Sequence, residues 1–236
     1  HNTCLWTGLK RFGRKVERFY QRNNANIAIS QSVLDCYTRE YGSVPPIIYN
    51  GVPEVRQERC PFLVDGKTNI LFAGRYDEQK GISHLIYIIR QLQDMPEYHF
   101  HVVGGGKLQN LVDAQLGTLP NVSLHNPVFG ISRYLASFDY MLMPSEFEGL
   151  PLMSVEASFA GLPVVCSDCK GLNETVPAGW QLTAHGNSHE EYMHIFRNVI
   201  PHADRTALAQ TARRFVREHF SVEKMQAGYE QVYRQE

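Results

Sequence analysis

Short apolar runs alternate with longer amphipathic stretches along most of this chain. Residues 25–30 (ANIAIS) read as a buried strand. Gln31–Tyr41 reads as a helix, with Ser30 as N-cap and Val33, Leu34, Tyr37 and Tyr41 on one face. Residues 47–49 form a short apolar run ahead of the turn pair Asn50-Gly51. From 53 to 66 there is no period, only Pro, Gly and charge, which predicts a linker. Beyond it, strands are expected at 69–73, 98–103, 122–125, 138–143 and 163–167. Between them, Ile82, Leu85, Ile86, Ile89 and Leu92 recur at helical spacing, a helix follows Gly106, and helices are expected over 132–137 and 152–160. Two or three helices close the chain. In one of them Leu208, Ala212, Phe215, Val216 and His219 form the buried face, Phe220 ends it, and Ser221 caps the next. This rhythm predicts an α/β fold: a Rossmann-like parallel sheet with helices on both faces. Ligands in such sheets bind beyond the carboxyl ends of the strands.

Composition adds limits. The chain has 236 residues, 43% hydrophobic and 20% charged, which is globular composition, with no low-complexity tract and no internal repeat. A net charge of -1 gives no general attraction to nucleic acid. No run approaches the roughly 20 apolar residues of a membrane span. Cysteines at 4, 36, 60, 166 and 169 are sparse and odd in number, which suggests reduced thiols and a cytoplasmic setting.

Chemistry concentrates at the expected strand ends. Gly74-Arg75-Tyr76-Asp77-Glu78-Gln79-Lys80-Gly81 sets a planar guanidinium and a point charge beside a helix N-terminus, which suits a diphosphate as well as it suits two solvated charges. Gly104, Gly105 and Gly106 allow close approach of a ligand, or simply a turn; His101 stands where a Walker loop needs glycine. Glu148 and Glu156 are separated by seven residues across a strand-to-helix boundary, with Pro151 in the first turn of the helix. Glu156 leans back toward the helix N-terminus, so both carboxylates can face one cleft. The bland reading makes Glu148 a helix cap and Glu156 an exposed helical residue.

These segments (GRYDEQKG, VVGGGKL and PSEFEGLPLMSVEASFAGLPVV, in that order and spacing) resemble the family 4 retaining glycosyltransferases of the GT-B fold. ANIAISQSV, IIYNGV and Gly171-Leu172-Asn173-Glu174 extend the likeness over about residues 20–236. The resemblance implies a retaining glycosyltransferase of the hexosyltransferase type, with a nucleotide-diphosphate-sugar donor and a glycan or lipid-linked acceptor. It implies that Arg75 and Lys80 hold the diphosphate and that Glu148 contacts the donor sugar. Glu156 receives the ribose hydroxyls. Gly74, Gly104, Gly105, Asn126, Val128, Gly149, Leu150 and Leu152 line the donor, the loop 126–132 at its base. No Asp-x-Asp occurs, so no metal or other cofactor is expected.

The family often has Gly-Phe-Gly after the first Glu. Here Gly149-Leu150-Pro151 stands instead, as in enzymes that build capsule, exopolysaccharide and lipopolysaccharide, which points to surface polysaccharide or lipopolysaccharide biosynthesis. The nucleotide is expected to be UDP or GDP. The expected organisation is the end of an incomplete amino-terminal, acceptor-side domain over 1–52, a linker over 53–66, a donor-binding domain over 67–220, and a carboxyl-terminal helix over 221–236 that crosses back. Two such domains need roughly 300–400 residues, so roughly a hundred are expected to be missing before His1. The competing readings are a nucleotide-sugar-binding module without turnover and a GT-B-like sugar-nucleotide epimerase.

Three other signals carry less. Cys166-x-x-Cys169 has no second pair. His189 and His194 are five apart, where a zinc helix needs four. Arg11, Arg14, Lys15, Arg18 and Arg22 make a basic stretch that is either a solvated helix face or a peripheral contact with an anionic membrane at its inner face.

Overall fold

The computed structural model describes residues 15, 16, 19 and 26–234. Helix α1 (Gln31–Tyr41) starts at Ser30, whose hydroxyl accepts the Val33 N–H, and ends at Gly42 in the left-handed conformation. After the irregular stretch that follows, β1 (Thr68–Arg75), β2 (Tyr98–Gly105), β3 (Val122–His125), β4 (Tyr140–Met143), β5 (Val164–Ser167) and β6 (Thr183–Ala184) form one sheet. Its order is β3-β2-β1-β4-β5-β6, and every neighbouring pair is parallel.

That order has one reversal. The chain winds outward from β1 to β3, then crosses to β4 on the other side of β1 and winds outward again. Connections leave in opposite directions at β1 and β4, which makes their carboxyl ends the switch point where such sheets take ligands.

The intervening helices are α2 (Ile82–Gln91), α3 (Gln109–Leu116), α4 (Leu152–Ala160), α5 (His189–His194), α6 (Arg205–Phe220) and α7 (Val222–Tyr233). α2 packs against α3 and α5, while α4 packs against α6. On α2, Ile82, Leu85, Ile88 and Ile89 are all buried, each worth about 1.5–3 kcal/mol against the exposed state. On α6 the buried face is Leu208, Ala212, Val216 and Phe220; Phe215 is only partly covered, and His219 turns outward to bond the Phe215 carbonyl. Ser221 caps α7 by accepting the Lys224 N–H. A second, smaller apolar cluster (Val52, Leu150, Val155, Phe159, Val216 and Phe220) joins α4 and α6 to the irregular stretch before β1.

Several boundaries differ from the sequence reading. Residues 26–30 and 47–49 make no strand: they meet only at an isolated bridge between Ala28 and Ile47, because pairing does not continue along either segment. β1 runs on through Gly74 to Arg75, and β2 through Gly105, since the two strands stay in register to their ends. β4 starts at Tyr140, because the Phe138 N–H is spent on the Leu135 carbonyl that closes a 3-10 helix over Ile131–Ser137. Pro151 precedes α4 as its capping residue and lies outside the first turn. β6 is two residues long and leaves no period to read.

Candidate active site

The carboxyl ends of β1 and β4 hold the centre of the site. After Arg75 the chain makes a 3-10 turn, Glu78–Lys80, capped by Asp77, whose Oδ1 accepts the Lys80 N–H at 3.1 Å. Gly81 follows in the left-handed conformation and starts α2. After β4, Pro144–Pro151 loops back to α4. The two loops are stitched together: the Glu146 N–H donates to the Gln79 carbonyl at 2.9 Å, and the Gln79 amide donates to the Phe147 carbonyl at 3.2 Å.

This stitching brings Lys80 and Glu148 into contact. Lys80 Nζ lies 2.7 Å from Glu148 Oε1, and the Ser145 hydroxyl donates to the same oxygen at 2.8 Å. Glu148 is 5% exposed. Its own N–H reaches the Lys170 carbonyl at 3.3 Å, and the Ser167 hydroxyl fixes the Ser145 carbonyl at 2.6 Å. A buried carboxylate needs such partners. All recorded side-chain contacts fall on Oε1, so Oε2 has no protein partner among the described residues. Glu148 is therefore not a helix cap.

Arg75 stands at the rim, its side chain 68% exposed, with Nη1 3.4 Å from Asp77 Oδ2 and Nη2 donating to Gln79 Oε1 at 3.1 Å. Asp77 and Gln79, which aim Arg75, Lys80 and the β4 loop, had no sequence signal beyond lying inside the Gly-Arg-to-Lys-Gly loop.

The glycines act differently from one another. Gly104 is filled by protein: a β-carbon there would meet the Gly74 carbonyl oxygen at 1.9 Å. At Gly106 it would meet the Tyr76 carbonyl at 2.7 Å. Both therefore let the β1 and β2 loops touch each other. At Gly105 the nearest atoms are 3.5 Å or more away. Beside it, Asn126 is exposed and Val128 half-buried, and between Val128 and Gly130 Phe129 is 98% exposed.

Glu156 is half-buried on α4 and lines a small cavity of about 140 Å³ with Pro53, Glu54, Ser132, Phe159 and Arg213, whose wall does not include Glu148. Burial raises the Glu156 pKa, and no hydrogen bond or ion pair reaches it among the described residues. Gly149 and Leu150 are buried, and Leu152 is exposed at the start of α4.

The discounted signals stay structural. Burial drives the Cys166 and Cys169 thiols up to about 12 and about 11, far from reactive thiolates. His189 stacks on Tyr87 at 3.7 Å. Among the described residues no group of three His, Cys, Asp or Glu is placed to hold a metal, and no helix is long and apolar enough to cross a membrane. The basic stretch 11–22 lies outside the described residues except for Lys15, Val16 and Phe19.

Known proteins match this arrangement. A family described as "Glycosyl transferases group 1" matches residues 67–217. The uncharacterized glycosyltransferase MJ1178 of Methanocaldococcus jannaschii is 26% identical over 196 residues, 79% of this chain and 52% of that protein. The O-antigen biosynthesis glycosyltransferase WbnH of Escherichia coli is 30% identical over 107 residues, 45% of this chain and 30% of that protein. The crystal structure of Anabaena Alr3699/HepE in complex with UDP superposes over 100% of this chain and 71% of that one, with a TM-score of 0.84 at 20% identity, which establishes a shared GT-B-type fold. The chain spans about a third to a half of the length of the curated relatives it matches.

Proposed function

This chain belongs to the group 1 glycosyltransferases, and on that premise we propose that it serves a retaining transfer of a hexose from a nucleotide-diphosphate-sugar to a glycan or lipid-linked acceptor in surface polysaccharide assembly. The observation that carries the reading is the 2.7 Å contact between Lys80 and the buried Glu148 beyond the carboxyl ends of β1 and β4. It joins the cationic loop and the acidic motif at the one place where the sheet order reverses.

In this reading Lys80 and Arg75 hold the diphosphate. Negative charge grows on the departing nucleotide diphosphate as the glycosidic bond breaks, and cations fixed beforehand favour that change. Glu148 turns its free Oε2 to the donor sugar, whose anomeric carbon becomes oxocarbenium-like. Gly149, Leu150 and Leu152 offer backbone N–H groups beside it. Glu156 takes the ribose hydroxyls, and Asn126 and Val128 edge the base. No metal is assigned to the diphosphate, because two cationic side chains already stand in that loop. The relative named for O-antigen biosynthesis and the UDP complex of the structural neighbour favour a UDP-sugar and a surface glycan.

Calorimetry with UDP- and GDP-sugars, followed by a transfer assay, tests this. Binding with transfer is expected. Binding without transfer would instead favour a nucleotide-sugar-binding module, and no binding to any donor would sink the reading.

A further inference from the structure

The turn 171–174 lies beneath the Glu148 loop. Gly171 has φ 85°, and a β-carbon there would lie 2.4 Å from the Glu148 carbonyl oxygen and 2.7 Å from that of Gly149. Glu174, at its end, reaches across to α1. Its Oε2 accepts the Gln31 N–H at 2.7 Å, and its Oε1 accepts the Ser32 N–H at 2.8 Å. The Tyr49 hydroxyl donates to Oε2 at 3.0 Å. One carboxylate thus meets two of the N–H groups that a helix start leaves without intrahelical partners, and its charge faces the positive end of the helix dipole.

The helix start held in this way then acts on the Glu148 loop. Ser30, fully buried, accepts the Val33 N–H and donates its hydroxyl to the Gly149 carbonyl at 2.7 Å. The Ser32 hydroxyl lies 3.5 Å from the Glu148 carbonyl. Both carbonyls next to the candidate catalytic carboxylate therefore point toward α1. In a trans peptide the C=O and the following N–H point in opposite directions. The Gly149 and Leu150 N–H groups are thereby turned away from α1, and neither has a protein partner among the described residues. Losing the grip on α1 frees those two peptide planes to rotate.

We propose that Glu174 is a positioning residue for the transfer: it latches the first turn of α1, and through Ser30 sets the peptide planes that follow Glu148. Tyr49 completes the latch by occupying the remaining approach to Oε2. This rests on the transfer reading above, because it assigns the oriented N–H groups to the developing charge of the donor.

The test uses the full protein with Glu174→Ala, Glu174→Gln, Ser30→Ala and, as control, Lys170→Ala. Lys170 pairs with Asp35 across the same boundary at 3.5 Å, but on an exposed surface where such pairs contribute little. Glu174→Ala and Ser30→Ala are expected to lower kcat about tenfold with donor KM within about threefold, the mark of an interaction that matters in the transition state. Glu174→Gln, with one acceptor oxygen for two N–H groups, should fall between, and Lys170→Ala should match the wild type. A folded Glu174→Ala with kcat within twofold of wild type overturns the proposal.

Hydrogen exchange on Glu174→Gln separates the latch from the transfer reading. Faster exchange in both 31–34 and 148–154 supports the latch, and faster exchange in 31–34 alone overturns it. A wild-type protein without turnover on any donor would sink the transfer reading and leave this exchange result to decide the latch.

Discussion

The α-carbon of Gly81 faces the carbonyl oxygen of Pro144 so closely that a β-carbon there would lie 1.8 Å from it. Gly81 also has φ 66°, a conformation that L side chains rarely adopt. Both constraints come from one requirement: the loop that carries Lys80 must lie directly on the loop that carries Glu148. Gly81→Ala is therefore expected to cost about 2–4 kcal/mol, the sum of left-handed strain and forced overpacking. Urea unfolding measures it. Nucleotide-diphosphate affinity should fall in the folded fraction, because the loops can relieve the clash only by parting. An alanine variant of wild-type stability would mean that the two loops are not held in contact.

Lys80 and Glu148 carry stability as well as chemistry, and the two can be separated. Lys80→Met leaves a buried carboxylate with the Ser145 hydroxyl as its remaining side-chain partner among the described residues, a loss of about 3–5 kcal/mol. Adding Glu148→Gln removes the uncompensated charge, so the double variant should regain most of that stability. Neither variant should transfer sugar. Denaturant midpoints and turnover measured on the same samples would show this as recovery in one and none in the other. Recovery of turnover in the double variant would remove Lys80 and Glu148 from the chemistry.

Much of this site was legible in the sequence, and the limits have physical causes. Lys80 and Glu148 were readable because each sits at the carboxyl end of an apolar strand, where parallel α/β sheets place ligands. The strand order that makes them meet was not, because the crossover after β3 leaves no local pattern. Ser30 as the cap of α1 and Ser221 as the cap of α7 follow from local hydrogen bonding alone. Gly104 is ambiguous in sequence, because a glycine that admits a ligand and one that admits another loop look the same; the Gly74 carbonyl shows that this one admits a loop. Gln79 was missed because its role is a backbone-directed contact with Phe147, which any residue with an amide could make.

A histidine cluster on β2 and β3 predicts the response to acid. His101 is fully buried, with Nδ1 3.3 Å from His125 Nε2 and Nε2 2.8 Å from Asn69 Oδ1. His99 lies alongside, bonded to Ser123, and the Phe62 ring, ahead of β1, packs tilted on His125 with centroids 4.2 Å apart. Burial pushes His101 down to about 3, helped by its two histidine neighbours, and burial first, with Lys67 adding, also lowers His99; His125 is lowered by burial. The folded state therefore resists protons that the unfolded state accepts. Stability is complete above the ordinary histidine pKa near 6.5 and falls as pH drops from there toward about 3. Each proton excluded contributes a slope of up to about 1.4 kcal/mol per pH unit. Urea unfolding between pH 7.5 and pH 4 should show this slope, and His101→Gln should flatten it. An unchanged slope in that variant would place the acid sensitivity elsewhere.

Glu156 predicts a trade between stability and binding. Its carboxylate is half-buried without a recorded partner, and burial raises its pKa. The folded state therefore disfavours the charge, so its contribution to stability is lost as pH rises from the ordinary glutamate value through the raised one. Glu156→Gln keeps the shape and removes the charge. At pH 7 the variant should be the more stable protein, and near pH 4 the two should converge. Affinity for UDP or GDP should fall in the same variant, since one oxygen that can accept from two ribose hydroxyls becomes a donor. Active sites often retain groups that the fold alone would reject. Denaturant midpoints at the two pH values, with calorimetry at pH 7, give both halves. A Gln variant that is less stable at pH 7 would show that the carboxylate is stabilised in the ligand-free protein, and undiminished affinity would take Glu156 out of the nucleotide site.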